Sequence, residues 1–260
     1  MSRDTVVVVP CFNEAARLVA SAFVDFVDTN PFAAVLFVDD GSTDATLHVL
    51  STLAAERPDA LRLHALERNC GKAEAVRIGV NEALATAARY VAYWDADLST
   101  PLSEVAAFRE LMETDPALLL VGGSRIRRLG ANVRRDATRH YLGRVFGTLA
   151  SLVLGIAVYD TQCGAKLLRA GPAATRIFDR PFLSRWVFDV EVFARLIHGL
   201  GGDRRAAEAA LYEYPLAAWQ DVGGSKLRPA HMVTAFFDLL RIRRAYRNVP
   251  TQASPAPLPF

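Results

Sequence analysis

The sequence predicts an α/β fold: one domain built on a mainly parallel sheet with helices on both faces. Two observations lead there. From residue 5 to about residue 100, short β-branched or apolar runs alternate with helix-length segments. Each run also ends in a polar cluster, as expected where right-handed crossovers bring strand ends to one ligand-binding edge. A chain of 260 residues, 52% hydrophobic and 22% charged, can bury such a core.

In order, TVVVVP at 5–10 reads as a buried strand, followed by a helix from Glu14 to Asp28 that Asn30-Pro31 stops. Val35 to Val38 is a second strand, ending in Asp39-Asp40-Gly41-Ser42. A helix opens at Thr43-Asp44, with Ser42 or Thr43 suited to its N-cap, and runs to about Glu56. Leu61 to Leu66 is a strand, Gly71 to Ala88 a helix, and Tyr90 to Trp94 a strand that delivers Asp95-Ala96-Asp97. Ser99-Thr100-Pro101 opens another helix, and Leu118 to Gly122 is a strand. Arg127 to Arg139 is basic and loop-like, and Tyr141 to Ala157 is an apolar helix. Strands at Cys163 to Leu168 and Leu211 to Ala217 flank a helix at Val187 to His198. Asp221 to Lys226, with Gly223-Gly224-Ser225, reads as a mobile loop. Residues 1–228 form the expected domain, 229–248 a C-terminal amphipathic helix, and 249–260 a disordered Pro-rich tail.

Lys+Arg is 30 against Asp+Glu 28, so the chain lacks the basic excess of a nucleic-acid binder. Cys11, Cys70 and Cys163 have no metal-ligand spacing, and their odd number fits a reduced, cytoplasmic setting. The opening MSRDTVVVVP has no signal-peptide core, and the apolar stretch from Leu149 to Tyr159 is about half of the ~20 residues that a spanning helix needs. No membrane-spanning segment is expected.

Two carboxylates separated by one residue, just past a buried strand, suit a hard divalent cation. In extended backbone Asp95 and Asp97 point the same way, and a cation bridging to a diphosphate relieves their repulsion. Asp39 to Asp44 reads either as a turn with a cap or as acceptors for a base and a ribose. Pro10-Cys11-Phe12-Asn13-Glu14 closes the first strand in the same manner, with Glu14 also suited to the helix dipole. Gly71-Lys72 is only a fragment of a phosphate loop. Gly147 to Ile156, and Val233 to Leu240 followed by Arg241, Arg243, Arg244 and Arg247, suit peripheral docking at the cytoplasmic membrane face and a basic-capped core helix about equally.

VVVPCFNE, VDDGSTD, NCGKAEAVRIG and YWDADLSTP, in this order, resemble family 2 inverting glycosyltransferases of GT-A fold. Gly122-Gly123-Ser124-Arg125, Asp160 to Lys166, Phe188-Asp189-Val190-Glu191 and Gly224 to Leu227 resemble the dolichyl-phosphate (polyprenyl-phosphate) glucosyl- and mannosyltransferase branch, the glucosyl type more closely. The resemblance spans about residues 5 to 228 and implies a nucleotide-binding half at about 1–100 and an acceptor half at about 101–228. It implies that Pro10, Asn13, Glu14 and Asp40 line the nucleoside pocket, with Lys72 and Ala96 nearby. Asp95 and Asp97 would hold Mg²⁺ or Mn²⁺. Where the mannosyl type often has Gln two positions after the second Asp, this chain has Ser99. Arg125 and one or more of Arg134, Arg135 and Arg139 would face phosphates. Gln162 and Lys166 would sit near sugar or acceptor, Asp189 and Glu191 would line the acceptor side, and Ser225 and Lys226 would close over the nucleotide.

The expected reaction is transfer of a hexose, glucose first, from a nucleotide sugar such as UDP-glucose to a polyprenyl phosphate. Metal, Arg and Lys would stabilise the departing diphosphate. A lipid phosphate is already an anion, whereas a hydroxyl acceptor would need a base, for which Asp160, Asp189 and Glu191 are the candidates. The alternatives are the same donor chemistry with a soluble sugar or small-molecule acceptor, a sugar nucleotidyltransferase, and a binding module without turnover.

Overall fold

The computed structural model describes residues 3–126, 129, 132–134, 137–220 and 229–246. Its main sheet has seven strands in the order β3-β2-β1-β4-β7-β5-β8. They are β1 (Thr5–Cys11), β2 (Ala33–Asp39), β3 (Leu61–Ala65), β4 (Tyr90–Trp94), β5 (Leu120–Ser124), β7 (Ala165–Arg169) and β8 (Leu211–Pro215). All neighbours pair in parallel except β7, which runs antiparallel to both β4 and β5. The strand order reverses between β1 and β4, so the carboxyl ends of these two strands flank a crevice of the kind that binds ligands. Because β7 runs backward, the loop before it, residues 160–164, arrives at the same edge.

Residues of the inner strands β1, β2, β4, β5 and β7 are mostly buried on both faces, as strands between two helical layers must be, while the edge strands β3 and β8 are more open. Alternation splits the core in two. Val7, Val9, Phe37 and Trp94 pack under α1 (Ala20–Thr29), α2 (Thr46–Glu56) and α4 (Glu104–Thr114). Val8, Val38, Val91 and Tyr93 pack under α3 (Lys72–Leu84), α6 (Pro172–Phe178) and α7 (Phe188–Gly199), a layer that also takes in α5 (Ala137–Leu154) and α9 (Pro229–Tyr246).

Several expected boundaries shift for physical reasons. The first helix begins at Ala20 instead of Glu14, because Asn13 is left-handed (φ 53°) and the N–H groups of Glu14 and Ala15 donate to Thr46 Oγ1. The second begins at Thr46, since Ser42 Oγ accepts from Asn13 N and Thr43 N donates to Asn13 Oδ1, which leaves neither residue free to cap. The Ser99-Thr100-Pro101 turn precedes α4 by several residues. Within the stretch expected to be loop, β6 (Asn132–Arg134) pairs in parallel with β9 (Ala218–Gln220). Helices α6 and α8 (Arg204–Ala210) had no sequence signal strong enough to be assigned. The expected loop at Asp221 to Lys226 and the tail at 249–260 lie outside the described residues.

Candidate active site

Asp95 and Asp97 leave the end of β4 in a turn, not in extended backbone as the sequence suggested. Leu98 N donates to Asp95 O and Ser99 N to Asp97 Oδ1, with Leu98 left-handed at φ 51°. The turn is fixed from below by the buried Trp94, whose Nε1 donates to Thr100 O (2.8 Å). Asp95 N donates to Gly164 O, and a Cβ on Gly164 would collide with the Asp95 carboxylate, so glycine is what lets this carboxylate lie against the 160–164 loop. Asp95 and Asp97 remain partly exposed, while Ala96 between them is buried.

Lys72 Nζ, at the start of α3, donates to Asp95 Oδ1. Burial opposes its charge, but Asp95, Asp189 and Asp97 more than offset this, and its pKa lies above the ordinary lysine value. The sequence placed Lys72 near the nucleotide; the structure adds that it is the counter-ion of the acidic turn. Arg17, which the sequence reading missed, pairs with Glu14 (2.6 Å) and is further held in its charged form by Asp97. Glu14 is thereby drawn into an ion pair beside the crevice.

Asp40 is committed to structure. Its Oδ1 accepts from Cys70 N (2.7 Å) and its Oδ2 from Gly71 N (2.8 Å) and Asn69 Nδ2 (3.1 Å), so it holds the loop that carries Lys72. Burial pushes its carboxyl above the ordinary range, against the pull of those two backbone N–H groups. Asp40, expected as a direct nucleoside contact, thus shapes the wall of the crevice through these bonds. Its neighbour Asp39 is the better candidate, since its Oδ2 accepts from Ser42 N while its Oδ1 is buried without a hydrogen-bond partner. An orphaned buried acceptor is uncommon enough to require a reason. Pro10 lies half-buried in β1, next in the chain to the buried Cys11. Gly71 is left-handed and abuts Arg185, whose Nε donates to Cys70 O (3.2 Å). Arg185 is a second cation that the motifs did not reveal.

On the other side of the crevice, Arg125 forms a two-pronged ion pair with Asp160 (2.6 and 2.8 Å), and its backbone N–H also donates to Asp160. Glu213 accepts from Tyr159 N and Asp160 N, both at 2.8 Å, which pins this loop to β8. The Nε–H and one terminal amino group of Arg125 thus serve Asp160, so its first task is to order the 160–164 loop. Gln162, expected near sugar or acceptor, has a buried Nε2 without a partner, as do the hydroxyls of Ser124 and Thr161.

Two further candidates are enclosed by the protein. Lys166 is fully buried: its Nζ donates to Asp189 Oδ1 (2.6 Å) and Cys163 O (2.6 Å), and Tyr93 Oη donates to the same Asp189 oxygen (2.7 Å). Glu191 is fully buried too, with Oε1 accepting from Arg195 and Tyr246 Oη (both 2.8 Å) and Oε2 from Leu183 N (2.7 Å). The ammonium of Lys166 and both oxygens of Glu191 are thus occupied by partners within the protein. Asp189 lies in the core below Asp95, again as an ion-pair partner. The side chains of Arg134 and Arg139, and all of Arg135, Ser225 and Lys226, lie outside the described residues.

Among the described residues no group of three or more His, Cys, Asp or Glu side chains converges on one point, and no helix is long and apolar enough to cross a membrane. Residues 6–175 match the profile of Glycosyl transferase family 2. The chain is similar to a dolichyl-phosphate beta-glucosyltransferase of Trichomonas vaginalis, 30% identical over 258 residues covering 94% of this chain and 72% of that protein. It is 29% identical to the dolichyl-phosphate beta-glucosyltransferase of Homo sapiens over 259 residues, 92% and 75% of the two chains. Its fold is that of the glucosyl-3-phosphoglycerate synthase of Mycobacterium tuberculosis, with TM-score 0.67, 17% identity, and 95% and 82% of the chains covered. A structure of that enzyme in complex with Mn²⁺ and UDP-glucose superposes with TM-score 0.65 at 20% identity, over 95% and 80% of the chains.

Proposed function

Because this chain belongs to Glycosyl transferase family 2, we propose that it transfers glucose from UDP-glucose to a polyprenyl phosphate with inversion at the anomeric carbon. Membership removes the nucleotidyltransferase alternative, and the dolichyl-phosphate glucosyltransferases similar to it supply the donor and acceptor class. The observation that carries the choice of acceptor is the state of the carboxylates. Asp160, Asp189 and Glu191, the three weighed as general bases, are each closed into an ion pair with Arg125, Lys166 and Arg195. A hydroxyl nucleophile would need one of them free. A phosphate oxygen, already ionised at neutral pH, has no proton to lose.

In the proposed reaction a phosphate oxygen of the acceptor bonds to the sugar's anomeric carbon, the bond from that carbon to the diphosphate breaks, and UDP leaves with the electron pair. Asp95 and Asp97 fit a Mg²⁺ or Mn²⁺ ion: two hard, partly exposed oxygen donors on one turn, a set that Mg²⁺ commonly completes with substrate phosphates. Bound there, the ion would neutralise charge on the leaving diphosphate. Lys72 neutralises Asp95 without it and would be released to a phosphate oxygen when Asp95 takes another partner. Asp39 Oδ1 offers an unpaired acceptor for a base N–H, and Gln162 Nε2 an unpaired donor on the sugar side.

Thermal unfolding tests the donor half. A ligand at about 100 times its Kd adds about 2.7 kcal/mol of stability, or roughly 5 °C in Tm for a domain of this size. UDP-glucose with Mn²⁺ should give such a shift, and GDP-mannose with Mn²⁺ or UDP-glucose with chelator should give little. A shift with GDP-mannose alone would reassign the donor.

A further inference from the structure

We infer that the outward face of α9 is a docking surface for an anionic phospholipid bilayer, seated so that lipid-borne acceptors meet the donor crevice. The inference rests on the proposed acceptor only for the reason that a bilayer is involved.

α9 buries one stripe, with Leu239 and Ile242 in the core and Tyr246 bonded to Glu191. The opposite side is apolar and exposed among the described residues. Phe236, Phe237 and Leu240 are exposed, Phe237 by 62%, and the two rings stand edge to face at 5.9 Å. Arg243 and Arg244 follow, both exposed. The spacings Phe236–Leu240–Arg243 and Phe237–Leu240–Arg244 put all five on one helix face, apolar in its first part and cationic one turn later. Phe236, Phe237 and Leu240 adjoin one another on the helix surface instead of being scattered singly, and contiguous apolar patches of this kind mark interaction sites. Aromatic and leucyl side chains in line with arginines match the layered chemistry of an anionic membrane surface, where rings enter the acyl boundary and guanidinium groups meet phosphates.

Placement ties this face to the crevice. Ser184 Oγ donates to Asp238 Oδ2 (2.6 Å) and Arg241 Nη1 to Leu183 O (3.1 Å), so the 183–187 loop lies along the flank of α9. Trp186 on that loop is 47% exposed, and its neighbour Arg185 touches the Cys70-Gly71 turn that leads to Lys72. The 183–187 loop therefore links the flank of α9 to the turn that carries Lys72 at the donor edge. Helix α5 packs against α9 and carries an exposed stripe of its own, Val145 and Leu152 at i, i+7. Two exposed arginines one turn beyond the apolar patch complement lipid phosphates lying just outside an acyl boundary, and this charge complementarity selects a bilayer as the occupant.

The test is sedimentation of the full chain with vesicles of phosphatidylcholine alone and of phosphatidylcholine mixed with phosphatidylglycerol. The wild-type protein should pellet with the mixed vesicles. Phe236→Ser/Phe237→Ser should weaken binding by about tenfold or more. Arg243→Gln/Arg244→Gln should weaken it about fivefold per arginine, with loss of the preference for phosphatidylglycerol. Because these side chains point outward, Tm should stay near wild type. Transfer to a short-chain, water-soluble polyprenyl phosphate should be unchanged in both variants, while transfer to a long-chain acceptor embedded in vesicles should fall with binding. Equal vesicle binding by wild type and variants would overturn the proposal. So would self-association of the wild type that the same substitutions abolish, since that would make the face a contact between copies. Vesicle binding that follows the substitutions, in a protein that glucosylates no lipid phosphate, would uphold the docking face and overturn the acceptor assignment instead.

Discussion

Replacing Asp97 by Ala should reduce sugar transfer by roughly a thousandfold while leaving the fold intact, because removal of one preorganised charge-stabilising group at a leaving oxyanion costs on that order. Asp97 is partly exposed on the turn after β4, and within the protein its carboxylate accepts from Ser99 N. Its loss should change Tm by about 1 °C or less, as expected of a surface position. Single-turnover transfer from UDP-glucose, read with Tm, separates the two effects. Full turnover by Asp97→Ala would remove the acidic turn from the chemistry. The same substitution at Asp95 is less clean, since it also strands Lys72 and empties the space that Gly164 leaves open.

Lys166→Met has the second largest expected effect, on stability. The Lys166–Asp189 pair is buried on both sides, with side-chain exposures of 0% and 5%. Removing only the lysine leaves the buried Asp189 carboxylate with the Tyr93 hydroxyl as its described hydrogen-bond partner and only the more distant charge of Lys72 facing it; breaking a buried pair in this way typically costs about 3–5 kcal/mol. In a domain of this size that corresponds to a fall in Tm of roughly 10 °C. The double variant Lys166→Met/Asp189→Leu should recover much of the loss, because it removes both charges together. If Lys166→Met kept its Tm but lost transfer, Lys166 would act on substrate and the structural assignment would fail.

The fold was largely legible because it rests on local pattern. β-branched runs between helix-length segments gave the parallel half, and Tyr90–Trp94 was placed to the residue. What stayed hidden depends on contacts distant in sequence. The late start of α1 follows from Asn13, Ser42 and Thr46 bonding across some thirty residues. The antiparallel run of β7 leaves no trace in a short apolar strand, whose periodicity carries no direction. At the site, motif order singled out Asp95, Asp97 and Lys72, and the fold brings Lys72 to Asp95, but spacing could not tell which carboxylates are spent inside the protein. Glu191 and Arg195 stand at i, i+4, a pairing signal available in the sequence; read with the residues of FDVEVFARLI that are otherwise apolar but for Asp189, it would have pointed to a buried ion pair. Arg17 and Arg185 belong to no motif and enter the site only through the fold.

The central claim is tested most directly by incubating the protein with UDP-[¹⁴C]glucose, Mn²⁺ and a polyprenyl phosphate, then measuring label in the organic phase and the anomeric configuration of the product. The account predicts a β-linked glucosyl phosphate lipid, absent when chelator replaces Mn²⁺ and absent with Asp97→Ala. Label passing to a soluble sugar or small phosphorylated acid in place of the lipid, or a product of retained configuration, would contradict it.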